Sequence, residues 1–321
     1  MLNDPEFLDR LSSEIVGRRR ELELLAAALG TNRHVLFEGP PGTGKSTILR
    51  ALADTAGSGL VFVEGNAELT PARLAGQFDP SRVMAEGYSP HVFVDGPLVE
   101  ALRNGSLLYV EELNRVPEET INLLITVMSE GELTLPRLGR TRAAEGFRFV
   151  AAMNPFDNIG TARVSSAIYD RMSRISLDYQ SFEEEREIVR LRVEPHEPHE
   201  AREQTDASET LLHRAVAVAR ATRRHPDLRV GSSVRGAIDL VEVAMRLAAI
   251  RSTAVDDPSV GLDAAMVAIS GRIRLHEGTD RTPEAVVAEL WKLIVSAEEP
   301  TSAAHDQGKA PAPEGATAAL R

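Results

Sequence analysis

The stretch His34-Val-Leu-Phe-Glu38 followed by Gly39-Pro-Pro-Gly-Thr-Gly-Lys-Ser46 decides the fold of this chain. Five residues of buried-strand character run directly into the pattern G-x-x-x-x-G-K-[ST], and a helical segment, Thr47-Ile-Leu-Arg-Ala-Leu-Ala-Asp54, follows. The physical reading is a phosphate cradle. Glycines let the backbone N–H groups curl around an anion, and the start of the next helix adds positive potential. Lys45 is placed to reach the outer phosphates and the Ser46 hydroxyl to hold Mg²⁺. Gly39, Pro40, Pro41, Gly42, Thr43, Gly44, Lys45, Ser46 and Thr47 are therefore the expected nucleotide-binding residues.

Working outward, further apolar runs occur at Leu60–Val63, Leu107–Val110, Phe147–Ala152 and Ile175–Leu177, mostly separated by helical patterns. Such alternation predicts βα units around a parallel sheet with helices on both faces. After Tyr179 the strand signals stop. Ser181 and Glu184 form a capping box, and periodicity predicts helices near 181–193, 209–224, 232–251, 259–276 and 283–297. Thr282-Pro283 is a helix-start signal. The expected organisation is an αβα nucleotide-binding core over 1–180, an all-α unit over 181–298 and a disordered tail over 299–321.

Composition excludes several classes. The 321 residues carry 36 Lys+Arg against 48 Asp+Glu, a net charge of -12, which argues against a nucleic-acid binder because phosphate contacts demand a basic face. There is no cysteine, so disulfides, thiol catalysis and Cys-based metal sites are excluded. The first residues lack the apolar segment of a secretory signal, and no apolar run approaches the ~18 residues that span a bilayer. A cytoplasmic location without membrane insertion is the expectation. His196 and His199 stand three apart around a proline, unlike a helical metal pair, and read as a solvated loop.

Two more segments carry chemistry. Leu107-Leu-Tyr-Val-Glu-Glu112 is an apolar strand ending in two acids. Glu111 is placed to hold the metal through its water shell and Glu112 to polarise an attacking water. Asn154, after the strand Phe147–Ala152, is placed beside the phosphate loop to contact the outer phosphate and orient that water; the same Asn-Pro pair also reads as a turn.

The order and spacing of these motifs resemble the AAA+ superfamily, and within it the chain looks like the MoxR branch. The matching residues are Ile15-Val-Gly-Arg18, GPPGTGKS at 39–46, Phe93-Val-Asp-Gly-Pro-Leu98, EELNRVP at 111–117, AMNPFDNIGTAR at 152–163, Tyr169-Asp-Arg-Met172 and Gly231-Ser-Ser-Val-Arg235. Glu111 departs from the family, where Asp is usual. The resemblance implies an ATPase that uses ATP and Mg²⁺. Val16 and Gly17 would line the adenine pocket, Glu112 would be the catalytic acid and Asn154 sensor 1. Arg171 would be the arginine finger offered to a neighbouring subunit, Arg174 its reserve, and Arg235 sensor 2 on the lid. It also implies a homo-oligomeric ring, a hexamer by family habit, that remodels a client protein, often with a von Willebrand factor A domain partner. Residues 76–98 and 130–146 are the segments expected to contact partners. A metal-chelatase-type motor subunit, a nucleic-acid motor and a nucleotide-gated switch with little hydrolysis stand as alternatives.

Overall fold

The structure is a computed structural model that describes residues 5–155, 165–193 and 209–298. The expected histidine loop at 195–208, the tail at 299–321 and the family-like stretch 156–163 lie outside the described residues.

In the first half of the chain, α1 (Pro5–Glu14) and α2 (Arg19–Gly30) precede β1 (His34–Glu38), α3 (Lys45–Ala56) and β2 (Leu60–Glu64). Next come α4 (Pro71–Ala75), β3 (Gly76–Phe78), α5 (Pro80–Glu86), β4 (Phe93–Asp95) and α6 (Pro97–Asn104). β5 (Leu107–Glu111) and α7 (Glu118–Glu130) lead to a hairpin of β6 (Glu132–Leu135) and β7 (Gly139–Arg142), then β8 (Arg148–Met153), α8 (Ser166–Arg171) and β9 (Met172–Ser176).

Five of these strands form one sheet in the order β2-β5-β8-β1-β9, and every pairing is parallel. Alternate residues of each strand feed two separate cores, because side chains in a strand point alternately to its two faces. Leu36, Leu108, Val110, Phe149 and Ala151 pack with α4, α6 and α7. Val35, Phe37, Tyr109, Val150 and Ala152 pack with α1, α2 and α3. The expected α/β sheet, covered on both faces, is what forms.

The chain continues with α9 (Phe182–Val193), α10 (Glu209–Thr222), β10 (Leu228–Val230), α11 (Val234–Arg251), α12 (Pro258–Ile269), β11 (Arg274–Leu275) and α13 (Pro283–Glu298). These helices close their own apolar core around Val216, Leu240, Ala264 and Trp291. The capping box is made as read: Ser181 N–H donates to Glu184 Oε2 (2.8 Å) and Glu184 N–H to Ser181 Oγ (3.3 Å). Two expectations are corrected. The helix expected over 259–276 ends at Ile269, followed by a 3₁₀ turn over Ser270–Arg272. Strand structure also does not stop at Tyr179: β10 and β11 form a short antiparallel pair, too brief to leave an alternating pattern.

The segment 76–98 is a small β3–β4 ribbon enclosing α5, and residues 132–142 are a hairpin. The two meet where the Arg137 guanidinium lies 3.7 Å over the Tyr88 ring. Among the described residues, no helix is long and apolar enough to cross a membrane.

His34, at the start of β1, accepts the Phe149 N–H on Nδ1 (3.0 Å), which requires an unprotonated nitrogen. Burial, helped by nearby Arg148, pushes its pKa down to about 4. The unfolded chain's imidazole takes up its proton near ~6.5. The stability this neutral ring contributes is therefore complete above that pH and is lost as pH falls toward 4, a change of about 3 kcal/mol. Urea unfolding across this window should show that slope in the wild type, and His34→Gln should flatten it. An unchanged slope in the variant would remove His34 as its source.

Candidate active site at the sheet's carboxyl edge

Parallel register brings the functional residues together. Glu38 of β1 pairs with Met153 of β8, and Val110 of β5 pairs with Ala151 of β8, so three neighbouring strands end nearly level. From those ends the chain releases the phosphate loop, Asn154 and the acidic pair Glu111–Glu112. β8 lies between the loop strand and the acidic strand, so Asn154 emerges between them.

A cleft of about 240 Å³ lies over these ends. Its lining includes the loop from Pro41 to Thr47, Glu111, Glu112, Arg115, Asn154 and Arg235. The Ser46 hydroxyl donates to Glu111 Oε1 (2.9 Å), joining the first turn of α3 to the tip of β5. The nearby Tyr109 hydroxyl, 3.4 Å from Ser46 Oγ, has its pKa raised, mainly by burial, and so stays protonated. Lys45 is buried, and its ammonium donates to the carbonyls of Gly39 and Pro40 (3.0 Å each). Burial lowers its pKa, while Glu111 and Glu112 oppose that shift and Arg235 and Arg18 add to it.

Glu112 adopts a left-handed backbone conformation (φ 54°), which costs a non-glycine residue about 1 kcal/mol. The turn aims its carboxylate into the cleft, with Oε2 3.3 Å from Arg115 Nε. Gly65 makes room for it: a Cβ there would stand 2.5 Å from the Glu112 carbonyl oxygen.

A larger cavity of about 720 Å³ adjoins the cleft across Gly42, Thr43, Gly44, Thr47 and Arg235. Its walls are mixed: Val16, Ile48, Ile188, Leu191 and Ile238 form an apolar part, and Glu14, Arg18, Gln180 and Arg192 a polar one. Its apolar part offers a surface on which a flat heterocyclic base could stack. Arg235, in the first turn of α11, faces both spaces. Gly42 is what lets α11 approach, since a Cβ there would lie 2.4 Å from Ser233 Cβ, and its φ of +78° also favours glycine.

Some expected residues lie elsewhere. Gly17 does not line the cavity; the Glu184 side chain covers it, 2.3 Å from where a Cβ would be. Gly39 and Pro40 face a third groove, on the Arg174 side of the loop, which Asn154 also borders. Arg171 lies outside both spaces, with Nε donating to Ser129 Oγ (2.6 Å) and NH1 to the Ala167 carbonyl (3.0 Å). Arg174 pairs with Glu38 (3.0 Å).

Arg18 gains no role of its own from the Ile15–Arg18 motif. It is buried (4% exposed), and its NH2 donates to the carbonyls of Thr43 (3.1 Å) and Asp178 (2.5 Å). It thus pins the phosphate loop to the segment after β9. A third consecutive arginine in Arg18-Arg19-Arg20 gives no sign of which one is buried.

Residues 34–172 match the family described as "AAA domain (dynein-related subfamily)". The fold is that of the AAA+ P-loop proteins. The uncharacterized protein YeaC of Bacillus subtilis (strain 168) is 28% identical over 310 residues, covering 89% of this chain and 92% of YeaC. An uncharacterized protein of Staphylococcus aureus (strain USA300) is 32% identical over 155 residues, which is 48% of this chain and 58% of that protein. The RuvB Holliday junction branch migration motor of Thermotoga maritima shares the fold, with a TM-score of 0.53 and 17% identity over 81% of this chain and 73% of RuvB.

In this AAA+ fold Arg18 is a strut for the phosphate loop. Arg18→Ala should lower the unfolding free energy by about 2 kcal/mol or more, because two carbonyls lose a charged donor. Urea titration checks this, and a change within error would show that the strut carries no stability.

Proposed function

We propose that the chain is a Mg²⁺-dependent ATPase of the MoxR type, working as a ring to remodel a partner protein. One observation carries the catalytic part: Lys45, Ser46, Glu111, Glu112, Asn154 and Arg235, spread over nearly 200 positions of sequence, line a single cleft beside a second cavity with an apolar part fit for a base. The donor set suits Mg²⁺ bound together with a triphosphate. A hydroxyl and a carboxylate 2.9 Å apart give hard oxygen ligands, and that ion normally takes only one or two protein ligands with phosphates. Mg²⁺ bound there would neutralise phosphate charge as the bond to the leaving group breaks.

The chain's own residues supply the rest. The loop N–H groups and Lys45 hold the phosphates; Ser46 and Glu111 hold the metal. Glu112 accepts a hydrogen bond from the attacking water and Asn154 fixes the water's position. Arg235 rests on the nucleotide from the helical unit over 181–298, which acts as a lid. Arg171 reaches the γ-phosphate of the neighbouring subunit, so turnover depends on assembly. Its position outside its own subunit's cleft is compatible with that role.

The client-facing part rests on the resemblance to MoxR proteins. The ribbon at 76–98 and the hairpin within 130–146, joined through Tyr88 and Arg137, are the contact elements for a client or a von Willebrand factor A domain partner. A hexameric ring and a cytoplasmic setting belong to the same reading. The charge of -12 favours a protein client over nucleic acid.

Three variants test the chemistry. Glu112→Gln should keep nucleotide binding and lose about 10²–10⁴ in turnover; equal rates would take Glu112 out of the mechanism. Lys45→Ala should lose most affinity for ATP in a fluorescent-nucleotide titration, and unchanged binding would refute the phosphate-loop assignment. Arg171→Ala should bind nucleotide without turning it over. Mixed with Glu112→Gln subunits it should regain activity, since each copy then supplies what the other lacks.

A further inference from the structure

We propose that Glu38 is a positioning residue that fastens the phosphate loop of a subunit to the arginine which that same subunit offers its neighbour. The inference rests on the reading of Arg171 given above.

Glu38 is the last residue of β1, and the next residue, Gly39, opens the phosphate loop. It is buried (5% exposed) at a strand end, where an unpartnered carboxylate would be costly. Both of its oxygens are engaged. Oε1 accepts from the Tyr169 hydroxyl (2.7 Å) and Oε2 from Arg174 NH1 (3.0 Å). Burial and this carboxylate push the Tyr169 pKa up to about 12, so the phenol remains a donor.

Tyr169 and Arg174 straddle Arg171 in sequence, one on α8 and the other on β9. The turn carrying Arg171 is thus clamped from both sides to a single carboxylate. Backbone bonds stiffen the other end: Leu177 N–H donates to the Glu38 carbonyl (2.7 Å) and Gly39 N–H to the Met153 carbonyl (3.2 Å). Gly39 packs so closely on the Leu177 carbonyl that a Cβ would stand 2.2 Å from it. Beyond Gly39, its carbonyl is held by the Lys45 ammonium (3.0 Å).

A continuous set of bonds therefore runs from Lys45 through Gly39 and Glu38 to the Arg171 turn. Phosphate bound at the loop draws Lys45 away from the Gly39 and Pro40 carbonyls. That releases the peptide adjoining Glu38, and the clamp passes the change to the arginine. The occupancy of one site so sets the reach of the arginine into the next.

The test separates action on a subunit's own site from action on its neighbour. The reference is the full-length Glu112→Gln chain mixed with the Arg171→Ala chain, read as ATP turnover. In the test mixture the Glu112→Gln subunits also carry Tyr169→Phe, which removes one hydroxyl and no charge. These subunits themselves turn over about 10²–10⁴-fold more slowly, so the rescued rate reports the arginine they offer. Rescue should fall by at least about threefold, while the Kd of the doubly substituted chain for fluorescent ATP stays that of Glu112→Gln. Glu38→Gln in place of Tyr169→Phe should act in the same direction. Undiminished rescue, or a loss explained by weaker nucleotide binding, would overturn the proposal. A reference mixture with no rescue would instead overturn the Arg171 assignment, and the clamp with it.

Discussion

The parallel register of β5, β8 and β1 is the constraint on which the rest depends. Because these strands end nearly level, the phosphate loop, Asn154 and the two glutamates leave the sheet at one edge. The hydrogen bond from Ser46 to Glu111 (2.9 Å) is the visible result, joining residues 65 positions apart in sequence. Slipping one strand would move its alternate side chains to the opposite core and its end residue away from the cleft. The two apolar cores therefore also fix the site geometry. Leu36 can reach its core only if Phe37 reaches the other, and that alternation determines where Glu38 ends.

The helical unit is placed by a different device, close backbone approach. Gly42 lets the start of α11 come against the loop, and this brings Arg235 over the cleft from a separate core. Arg18 works beneath the loop, tying Thr43 to Asp178. Loop, α11 and sheet edge are thus linked by a few short-range contacts.

The sheet strands were legible in the sequence because buried parallel strands are continuous apolar runs, as in His34–Glu38 and Leu107–Val110. The convergence of Ser46, Glu111, Glu112, Asn154 and Arg235 was legible because each sits in a motif tied to an element end. Features set by tertiary contact were not. Arg18 resembles its exposed neighbours Arg19 and Arg20 in sequence, and only the fold buries it. Gly17 belongs to a recognisable motif, yet the Glu184 side chain, held back by the Ser181 N–H, covers it. β10 and β11 are too short for periodicity, and the helix ends at Ile269 before Ser270-Gly271, a stop signal that the apolar Ile273 and Leu275 beyond it obscure.

The central claim is that the edge of this sheet holds Mg-triphosphate between the glycine loop and the acidic pair. A crystal structure with a non-hydrolysable ATP analogue and Mn²⁺ tests it most directly, because manganese reveals itself by anomalous scattering. The account predicts a manganese peak beside Ser46 Oγ and Glu111, the outer phosphates at Lys45 and the base among Val16, Ile188 and Ile238. Metal or phosphates located away from Lys45 and Ser46 would contradict it.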